Sequence, residues 1–372
     1  MFYIFSFLKE KLKGVPWSIL LTAYLIMAVG LYNLYSATGA SVNPKQFYDQ
    51  IIFIGLGTFC IFIIGLILDL KDIERLSTFA YILVCLLLLA VVIFGRSAKG
   101  AERWLMLGPI RLQPSEFAKF VIILMMARSF NFVRDYHEFT LLSLWRQAFI
   151  IMVPFLLILL QPDLGTAGLV LLIASLQIST VRIRIKSILS LFILAITLVT
   201  IAWNFVLYDY QKQRVLTFLN PMLDPRGSGY HSIQSMIAVG SGGLTGQGFE
   251  QGTQAKLNFL PERHTDFAFS VWSEEHGFLG CLFLVILFSI LITQIFQVAH
   301  KARDSYSTLV AVGVGAFFSL HFLINISMVL GVFPVVGVPL TFISYGGTHM
   351  ITALSCIGLI VAIERKRLHV AP

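Results

Sequence analysis

Long apolar runs separated by short polar segments dominate the pattern along this chain. The runs lie near residues 17–36, 50–69, 76–94, 116–131, 144–160, 164–180, 188–208, 277–299, 307–330 and 345–363. Most of them approach the ~20 residues that a helix needs to cross the hydrocarbon core of a bilayer. They lack the alternation of a β-barrel, and open strands cannot cross lipid with unpaired backbone groups. The pattern therefore predicts an all-α, polytopic integral membrane protein with about ten transmembrane helices.

Two positions decide how these runs are divided. Pro162 and Asp163 interrupt one long apolar stretch, so we expect two helices there, the fifth and sixth spans. The first run follows three lysines, as a signal peptide would, but it is longer than a usual signal-peptide core, so we expect a retained helix. The chain then forms a single transmembrane domain over residues 1–372, with a long extracytoplasmic loop at about 209–272.

Charge sets the orientation of this domain. Only 12% of the residues are charged, whereas 57% are hydrophobic. If the N-terminus is inside, the inner segments hold 16 of the 27 Lys and Arg residues and 8 of the 19 acids. The whole formal charge of +8 then lies on one face, and basic residues near span ends are retained in the cytoplasm. We expect both termini to be cytoplasmic, and no nucleic-acid partner, because no basic cluster lies on a soluble face.

The longer polar segments fall on the predicted outer side, at residues 95–115, 209–272 and 331–347. In the first, Trp104 between Arg103 and Arg111 predicts an amphipathic segment in the headgroup layer, with the guanidinium groups reaching phosphate. An ordinary interfacial aromatic with snorkelling arginines is the alternative. Glu116 and Lys119 then share one face of the fourth helix. Such a pair inside a span is by default functional, and a structural ion pair closing the bundle is the alternative.

Other polar patterns favour structural roles. Pro114 suits the first turn of the fourth helix, and Asp163 in QPDLGTA is placed to cap the sixth. The glycines of GSGGLTGQG lack the GK[ST] and GxGxxG patterns of nucleotide loops, which leaves an anion nest, a flexible lid or a plain loop. The outer histidines match no zinc spacing. The cysteines read as small buried residues within the apolar runs, namely Cys60, Cys85, Cys281 and Cys356.

The segment FLPERHTDF, residues 259–267, concentrates Glu262, Arg263, His264 and Asp266 just before an apolar run. Asp266 would stand at the membrane boundary, partly desolvated and close to cations. Those surroundings can tune a carboxylate for proton abstraction while the cations hold an anionic group. The alternative is an N-cap or an interfacial salt bridge for the eighth span.

Several of these motifs together resemble one family. PERHTDF, AERW with RLQPSEFAK, QPDLGTA, YHSIQSMIAVGSGGL, GTQ and ISYGGT occur in the order typical of the SEDS proteins of shape, elongation, division and sporulation. The match covers nearly the whole chain, and FLPERHTDF with VFPVVGVPLTFISYGGT resembles the rod-shape (RodA) branch more than the division (FtsW) branch. The resemblance implies a peptidoglycan glycosyltransferase of the bacterial cytoplasmic membrane. It would polymerise lipid II during elongation, surrounded by membrane lipids, with a class B penicillin-binding protein and other elongation proteins.

The resemblance also assigns residues. It places the essential aspartate of the family on Asp266, which we expect to be a general base that acts on the extracytoplasmic side with inversion at the anomeric carbon. The substrate-binding positions it implies are Arg103, Trp104, Arg111, Glu116, Lys119, Glu262 and Arg263. Cations among these would stabilise the departing polyprenyl pyrophosphate, with a divalent ion such as Mg²⁺ or Mn²⁺ bridging its oxygens, and no nucleotide or dedicated metal site is expected. His276 and His349 depart from the family pattern.

Two other functions stay open at this point. A lipid II flippase or other transporter would hold substrate groups near the bilayer midplane, often with internal repeats, whereas most ionisable residues here gather at the outer boundary. A non-catalytic scaffold for wall synthases would tolerate the neutralisation of each outer charge.

Overall fold

The computed structural model describes residues 14–39, 45–94, 96–98, 101–107, 110–131, 139–140, 142–206, 209–220, 228–253, 259–260 and 262–369. Helices lie at all ten predicted positions, and two more lie in the long loop. In chain order they are α1 Trp17–Thr38, α2 Lys45–Phe62, α3 Leu70–Phe94, α4 Pro114–Asn131, α5 Trp145–Leu159, α6 Leu164–Ser179, α7 Ile185–Ile201, α8 Asp209–Leu219, α9 Ser228–Ser241, α10 Ala268–Lys301, α11 Ser305–Val329 and α12 Gly347–His369. The predicted all-helical membrane fold is confirmed.

Seven of the helical stretches in the described part of the chain are long and apolar enough to cross a membrane. They are α1, α3, α10, α11, α12, α2 with its π-helical end Ile63–Ile67, and α5 with the 3₁₀ turn Leu142–Leu144 before it. The apolar α6 is shorter. Because α4 carries two cations and an acid and α7 has 17 residues, the count of ten spans remains a prediction.

The core of the bundle is formed by α11 and α12. Buried residues make up 61% and 83% of their most apolar windows, against 22% for α2 and α3, which face outward. Helix α12 packs along α2, and α11 packs against α4, α6 and α10. The enclosed α11 and α12 can therefore hold polar side chains away from lipid, as a membrane bundle requires of its ionisable groups.

The helix boundaries follow the expected local signals. Helix α4 begins at Pro114, and α5 and α6 are separate helices divided at residues 160–163. Asp163 caps α6, since its carboxylate accepts hydrogen bonds from the Thr166 amide at 3.3 Å and the Thr166 hydroxyl at 3.0 Å. These three predictions are confirmed.

The segment between α3 and α4, predicted to lie on the outer side, differs from its prediction. Instead of an amphipathic segment along the membrane surface, it forms a small antiparallel sheet of β1 Arg96–Ala98, β2 Ala101–Leu107 and β3 Ile110–Leu112. The pairing of β2 with β1 and β3 satisfies backbone N–H and C=O groups of this polar connection within the segment itself. The middle strand lies against the C-terminal end of α3 and the N-terminal end of α4 and carries the partly buried Trp104.

The helix that follows FLPERHTDF also begins earlier than predicted. The apolar run suggests a start near residue 277, but α10 begins at Ala268 and is interrupted at Gly277, whose φ and ψ are 61° and −162°. The interruption divides α10 into a short upper half and a long lower half. The upper half contains polar residues, so the hydropathy pattern does not indicate a membrane helix there. These residues are buried against protein rather than exposed to lipid.

At the opposite end of the bundle, basic side chains bind helix ends together. Arg128 donates to the carbonyl oxygens of Glu74 at 2.7 Å and Arg75 at 2.9 Å. Lys366 of α12 pairs with Asp304, the N-cap of α11, at 2.8 Å. Burial raises the pKa of Asp304, but hydrogen bonds from Lys366 and Ser307 outweigh it and leave the pKa below its ordinary value.

Candidate active site at one end of the bundle

A tight turn over residues 262–267 carries the carboxylate singled out from the sequence. Glu262 adopts a left-handed φ of 55°, and its carbonyl oxygen accepts from the Thr265 amide at 3.0 Å. The Thr265 hydroxyl donates to the Glu262 carboxylate, also at 3.0 Å. Asp266 is partly buried and immediately precedes Phe267, the N-cap of α10. The turn thus presents Asp266 beside the positive end of a helix dipole.

Three contacts from distant parts of the chain fix this turn. Asn325 of α11 donates to the Asp266 carbonyl oxygen at 2.9 Å. The Tyr345 amide donates to the His264 carbonyl oxygen at 2.8 Å. Asn33 of α1 donates to the carbonyl oxygen of Ala268 at 2.9 Å. Each bond comes from a different element, so the backbone around Asp266 has little freedom to shift.

The segment between α11 and α12, residues 331–346, passes directly over the turn, and we call it the strap. Its Gly337 has a φ of +72°, and a methyl group there would lie 3.5 Å from Oδ2 of Asp266. Val338 is held by Asn325 through its carbonyl oxygen at 2.7 Å. The strap therefore lies along one side of the Asp266 carboxylate. Because Gly337 has no side chain, it leaves space next to that carboxylate.

The strap also contacts the QPDLGTA motif and helix α2. A methyl group on Gly165 of QPDLGTA would lie 2.3 Å from the carbonyl oxygen of Val336. Gln50 of α2 donates to the Ser344 carbonyl oxygen and accepts from the Gly346 amide, each at 3.3 Å. Motifs that are far apart in sequence therefore meet at one end of the bundle, around the strap.

Beneath the strap, Glu116 and Lys119 of α4 form an ion pair with an Oε1 to Nζ distance of 2.8 Å. Their residues are 4% and 0% exposed, so the pair lies inside the protein. Two histidines complete it: Nε2 of His321 lies 3.0 Å from the Lys119 ammonium, and Nδ1 of His349 lies 2.7 Å from the second carboxylate oxygen. Neither contact could be predicted from the sequence, because each joins residues more than 200 positions apart.

The glycine-rich loop after α9 packs on the interruption in α10. The amides of Gln247 and Gly248 donate to the carbonyl oxygens of Glu274 and Glu275 at 3.0 Å. In return the Phe278 amide donates to the Gly243 carbonyl oxygen at 2.9 Å. The loop amides that could have formed an anion nest are thus used to replace helix hydrogen bonds that Gly277 interrupts. Of the three alternatives, a structural loop agrees best with these contacts.

The structure describes the side chains of only some of the remaining expected residues. Arg103 and Arg111 lie in β2 and β3, and their side chains fall outside the described part of the structure. Arg263 lies in the turn, three residues before Asp266, and is partly buried, which lowers the pKa of its guanidinium from the ordinary value. An arginine remains charged after such a shift. A cation is therefore available in the same turn as the Asp266 carboxylate.

Buried acids in the upper half of α10 were missed by the sequence reasoning. Glu274 and Glu275 are 0% and 2% exposed. The Thr253 hydroxyl donates to Glu274 at 3.2 Å, and Ser36 of α1 donates to Glu275. Their position inside a membrane protein is a signal that could have been used, since buried carboxylates in spans are rare and held by partners.

Comparison with known proteins agrees with the motif resemblance. The family model described as the cell cycle proteins FtsW, RodA and SpoVE matches residues 16–369. The peptidoglycan glycosyltransferase MrdB of Escherichia coli K12 is 38% identical over 96% of this chain and 95% of its own length.

Solved structures give the same result. A chain of a peptidoglycan synthase complex, studied for the coordination of polymerization and crosslinking, superimposes with a TM-score of 0.81 and 32% identity over 95% of this chain and 98% of its own. The rod shape determining protein RodA of Thermus thermophilus superimposes with a TM-score of 0.71 and 27% identity over 95% and 97%. This chain therefore belongs to the FtsW, RodA and SpoVE family of cell cycle proteins.

Proposed function

We propose that this chain is a peptidoglycan glycosyltransferase that polymerises lipid II into glycan strands during cell elongation. The observation that carries the proposal is the fixed position of Asp266, held by Asn325 below it and passed by Gly337 of the strap. A general base must be held within hydrogen-bond reach of the proton that it removes. Family membership and the names of the relatives support the same activity.

In the proposed reaction, Asp266 removes the proton from the 4-hydroxyl of one lipid-linked disaccharide. The hydroxyl oxygen attacks the anomeric carbon of a second lipid-linked chain and forms the new glycosidic bond. The bond from that carbon to the pyrophosphate oxygen breaks, and the polyprenyl pyrophosphate leaves with the electron pair, which inverts the anomeric carbon. The energy comes from the leaving group, so no nucleotide is required.

Cations near the turn would stabilise the charge that develops on the leaving pyrophosphate. Arg263 is the candidate whose position in the turn is described, and Arg103 and Arg111 are proposed from the motif match. Glu262 orders the turn through Thr265, and Trp104 lies in the sheet above α4. We propose that Glu116 and Lys119 act from inside the bundle, because they lie buried beneath the strap.

A dedicated metal centre does not fit the described residues, among which no group of three or more His, Cys, Asp or Glu side chains is placed to hold an ion. A divalent cation that takes part would therefore be carried mainly by substrate phosphates, as is usual for Mg²⁺. Comparing polymerisation with and without EDTA tests this. Full activity in EDTA would remove the cation from the proposal.

The protein is a multi-pass membrane protein, and we propose that the turn faces the outside of the cytoplasmic membrane, with both termini inside. The charge asymmetry supports this orientation, as do Arg128 and Lys366 at the opposite end of the bundle. We also propose a class B penicillin-binding protein as partner, alongside other elongation proteins. The structural similarity to a chain of a synthase complex that couples polymerization to crosslinking supports this partner.

The deciding experiment compares the purified wild-type protein with Asp266→Asn on labelled lipid II in detergent, with products separated by gel. We expect only the wild type to produce polymer when both proteins are assayed at the same concentration of folded protein. Polymer from Asp266→Asn at the wild-type rate would refute the assignment of the base. If the protein translocates lipid II in sealed vesicles but does not polymerise it in detergent, it is a flippase. If it does neither, it is a scaffold.

A further inference from the structure

The two histidines beside the buried ion pair complete a chain of hydrogen bonds that we call the buried clamp. It consists of Thr341 of the strap, His349 of α12, Glu116 and Lys119 of α4, and His321 of α11. All five are at most 5% exposed. The clamp therefore joins the strap to α4, α11 and α12 inside the protein.

The direction of each bond follows from the fixed partners. Nδ1 of His321 lies 2.8 Å from the carbonyl oxygen of Phe317, which can only accept, so Nδ1 carries the hydrogen and Nε2 accepts from Lys119. Nδ1 of His349 faces the Glu116 carboxylate and carries its hydrogen for the same reason. Nε2 of His349 then accepts from the Thr341 hydroxyl at 3.2 Å. The five side chains form one consistent sequence of donors and acceptors.

In this arrangement the Lys119 ammonium donates its hydrogens to partners inside the protein. One points to Glu116 at 2.8 Å and one to His321 at 3.0 Å, while the ring of Phe317 lies 5.6 Å from the nitrogen. A buried ion pair is costly unless further hydrogen bonds satisfy both ions, and the two histidines supply these bonds. Lys119 is thus directed toward protein partners rather than toward a substrate.

The clamp closes a ring with the contacts of Asp266. His321 and Asn325 lie one turn apart on α11, and Asn325 holds both Asp266 and Val338 of the strap. From Val338 the strap leads to Thr341, and from there the clamp returns through His349 and α4 to His321. A shift at any member of this ring moves the strap relative to the Asp266 carboxylate.

We infer that His349 and Thr341 are positioning residues of the glycosyltransferase reaction, which set the distance between the strap and Asp266 by tying the strap to the Glu116–Lys119 pair. The inference rests on the proposed function. A displacement of about 1 Å at a reacting group can lower turnover by ~10²-fold. Loss of the clamp should therefore lower kcat for lipid II polymerisation and leave KM near its wild-type value, since both side chains are buried inside the protein.

The test compares Thr341→Val, His349→Ala and His349→Asn in the full-length purified protein, with kcat, KM and melting temperature measured for each. We expect kcat to fall by roughly tenfold or more in Thr341→Val and His349→Ala. His349→Asn should recover part of it, because its amide nitrogen can donate to Glu116 from the place of Nδ1. Thr352→Val is the matched control, since Thr352 is 0% exposed and its hydroxyl donates only within α12, to Thr348.

Thr341→Val decides the matter if His349→Ala fails to fold, because it removes only a hydroxyl. Wild-type kcat in Thr341→Val, or a change confined to KM or to melting temperature, would overturn the positioning role. Asp266→Asn in the same assay separates the two claims. If Asp266→Asn is inactive while Thr341→Val is normal, only the clamp inference fails; if Asp266→Asn is active, the proposed function fails.

Discussion

Asn325 donates its two side-chain N–H groups to two carbonyl oxygens, that of Asp266 at 2.9 Å and that of Val338 at 2.7 Å. One amide group thus sets the separation between the turn that carries the carboxylate and the strap that passes it. Asn325 itself is fully buried. Few other side chains could make both bonds, because the task requires two donors on one planar group.

Replacing Asn325 by Ala should impair both turnover and stability. The buried carbonyl group of Val338 and the partly buried one of Asp266 would lose their donor, at a cost of about 1–3 kcal/mol for a buried group left unsatisfied. We expect a lower melting temperature and a reduced kcat for lipid II polymerisation. Asn204→Ala is the control, since exposed Asn204 lies in the π-helical turn Ala202–Val206 that follows α7 and donates to the Thr200 carbonyl oxygen one turn earlier. Equal behaviour of the two variants would contradict the linking role of Asn325.

Gly337→Ala should have two effects: it should crowd the Asp266 carboxylate and strain the backbone of the strap. The substitution places a methyl group 3.5 Å from Oδ2 of Asp266 and strains a residue with a φ of +72°. Gly39→Ala shares the second effect only, because Gly39 has a φ of +60° and no atom within 4 Å of the added methyl group. Both should lose about 1–2 kcal/mol of stability, the cost of a left-handed backbone for an L-residue, measured by thermal unfolding.

Only Gly337→Ala should lose polymerisation activity in that comparison. The added methyl group narrows the space beside the carboxylate, where the acceptor sugar is proposed to lie. If Gly39→Ala loses as much activity, backbone strain and not crowding at Asp266 explains the effect.

Lys119→Ala should be strongly destabilising, because it leaves the Glu116 carboxylate uncompensated inside the bundle. Removing one partner of a buried pair costs about 3–5 kcal/mol. Lys119→Met with Glu116→Gln should recover part of that stability. Arg75→Ala is the contrasting variant: Arg75 lies 3.7 Å from Asp72 with its side chain 78% exposed, so about 0–1 kcal/mol is expected. Similar melting temperatures for Lys119→Ala and Arg75→Ala would argue against a buried pair.

The ion pair between Asp304 and Lys366 should make the stability of the folded protein depend on pH. The pKa of Asp304 is below its ordinary value of 3.8 in the folded protein. Its contribution is therefore complete above the unfolded pKa and is lost as the pH falls through the folded one. Asp304→Asn should lower the melting temperature at pH 7, and the difference from wild type should shrink below about pH 4.

A difference between wild type and Asp304→Asn that stays constant from pH 7 to pH 3 would contradict this linkage. Glu364→Gln serves as control, since Glu364 pairs with Arg367 within the same helix and joins no separate elements.

Most of the helices could be predicted because the bilayer imposes a length and an apolar composition on each span. The division at Pro162 and the Asp163 cap followed from local chemistry. The start of α10 could not be predicted in this way, since polar residues such as Glu274 are buried by distant segments. The sheet around Trp104 was missed because its strands are short and pair locally, with no apolar alternation to reveal them.

The prediction of Asp266 as the central residue of the site stays a prediction, and the contacts that support it could not be predicted. FLPERHTDF pointed to Asp266 because ionisable side chains are rare in this chain. Nothing local to His349 indicates that it binds Glu116, which is 233 positions away. His349 stood out only as a departure from the family pattern, and its partners required the folded arrangement of α4 and α12.

The contacts of the strap impose an order on biosynthesis. Gln50 is among the early residues to leave the ribosome, yet its partners in the strap, Ser344 and Gly346, lie 294 and 296 positions later. A nascent chain that has already inserted Asp266 still lacks the segment that fixes it. We therefore expect a chain interrupted before the strap to lack polymerase activity, because the turn around Asp266 would be without the Tyr345 and Val338 contacts that hold it in place.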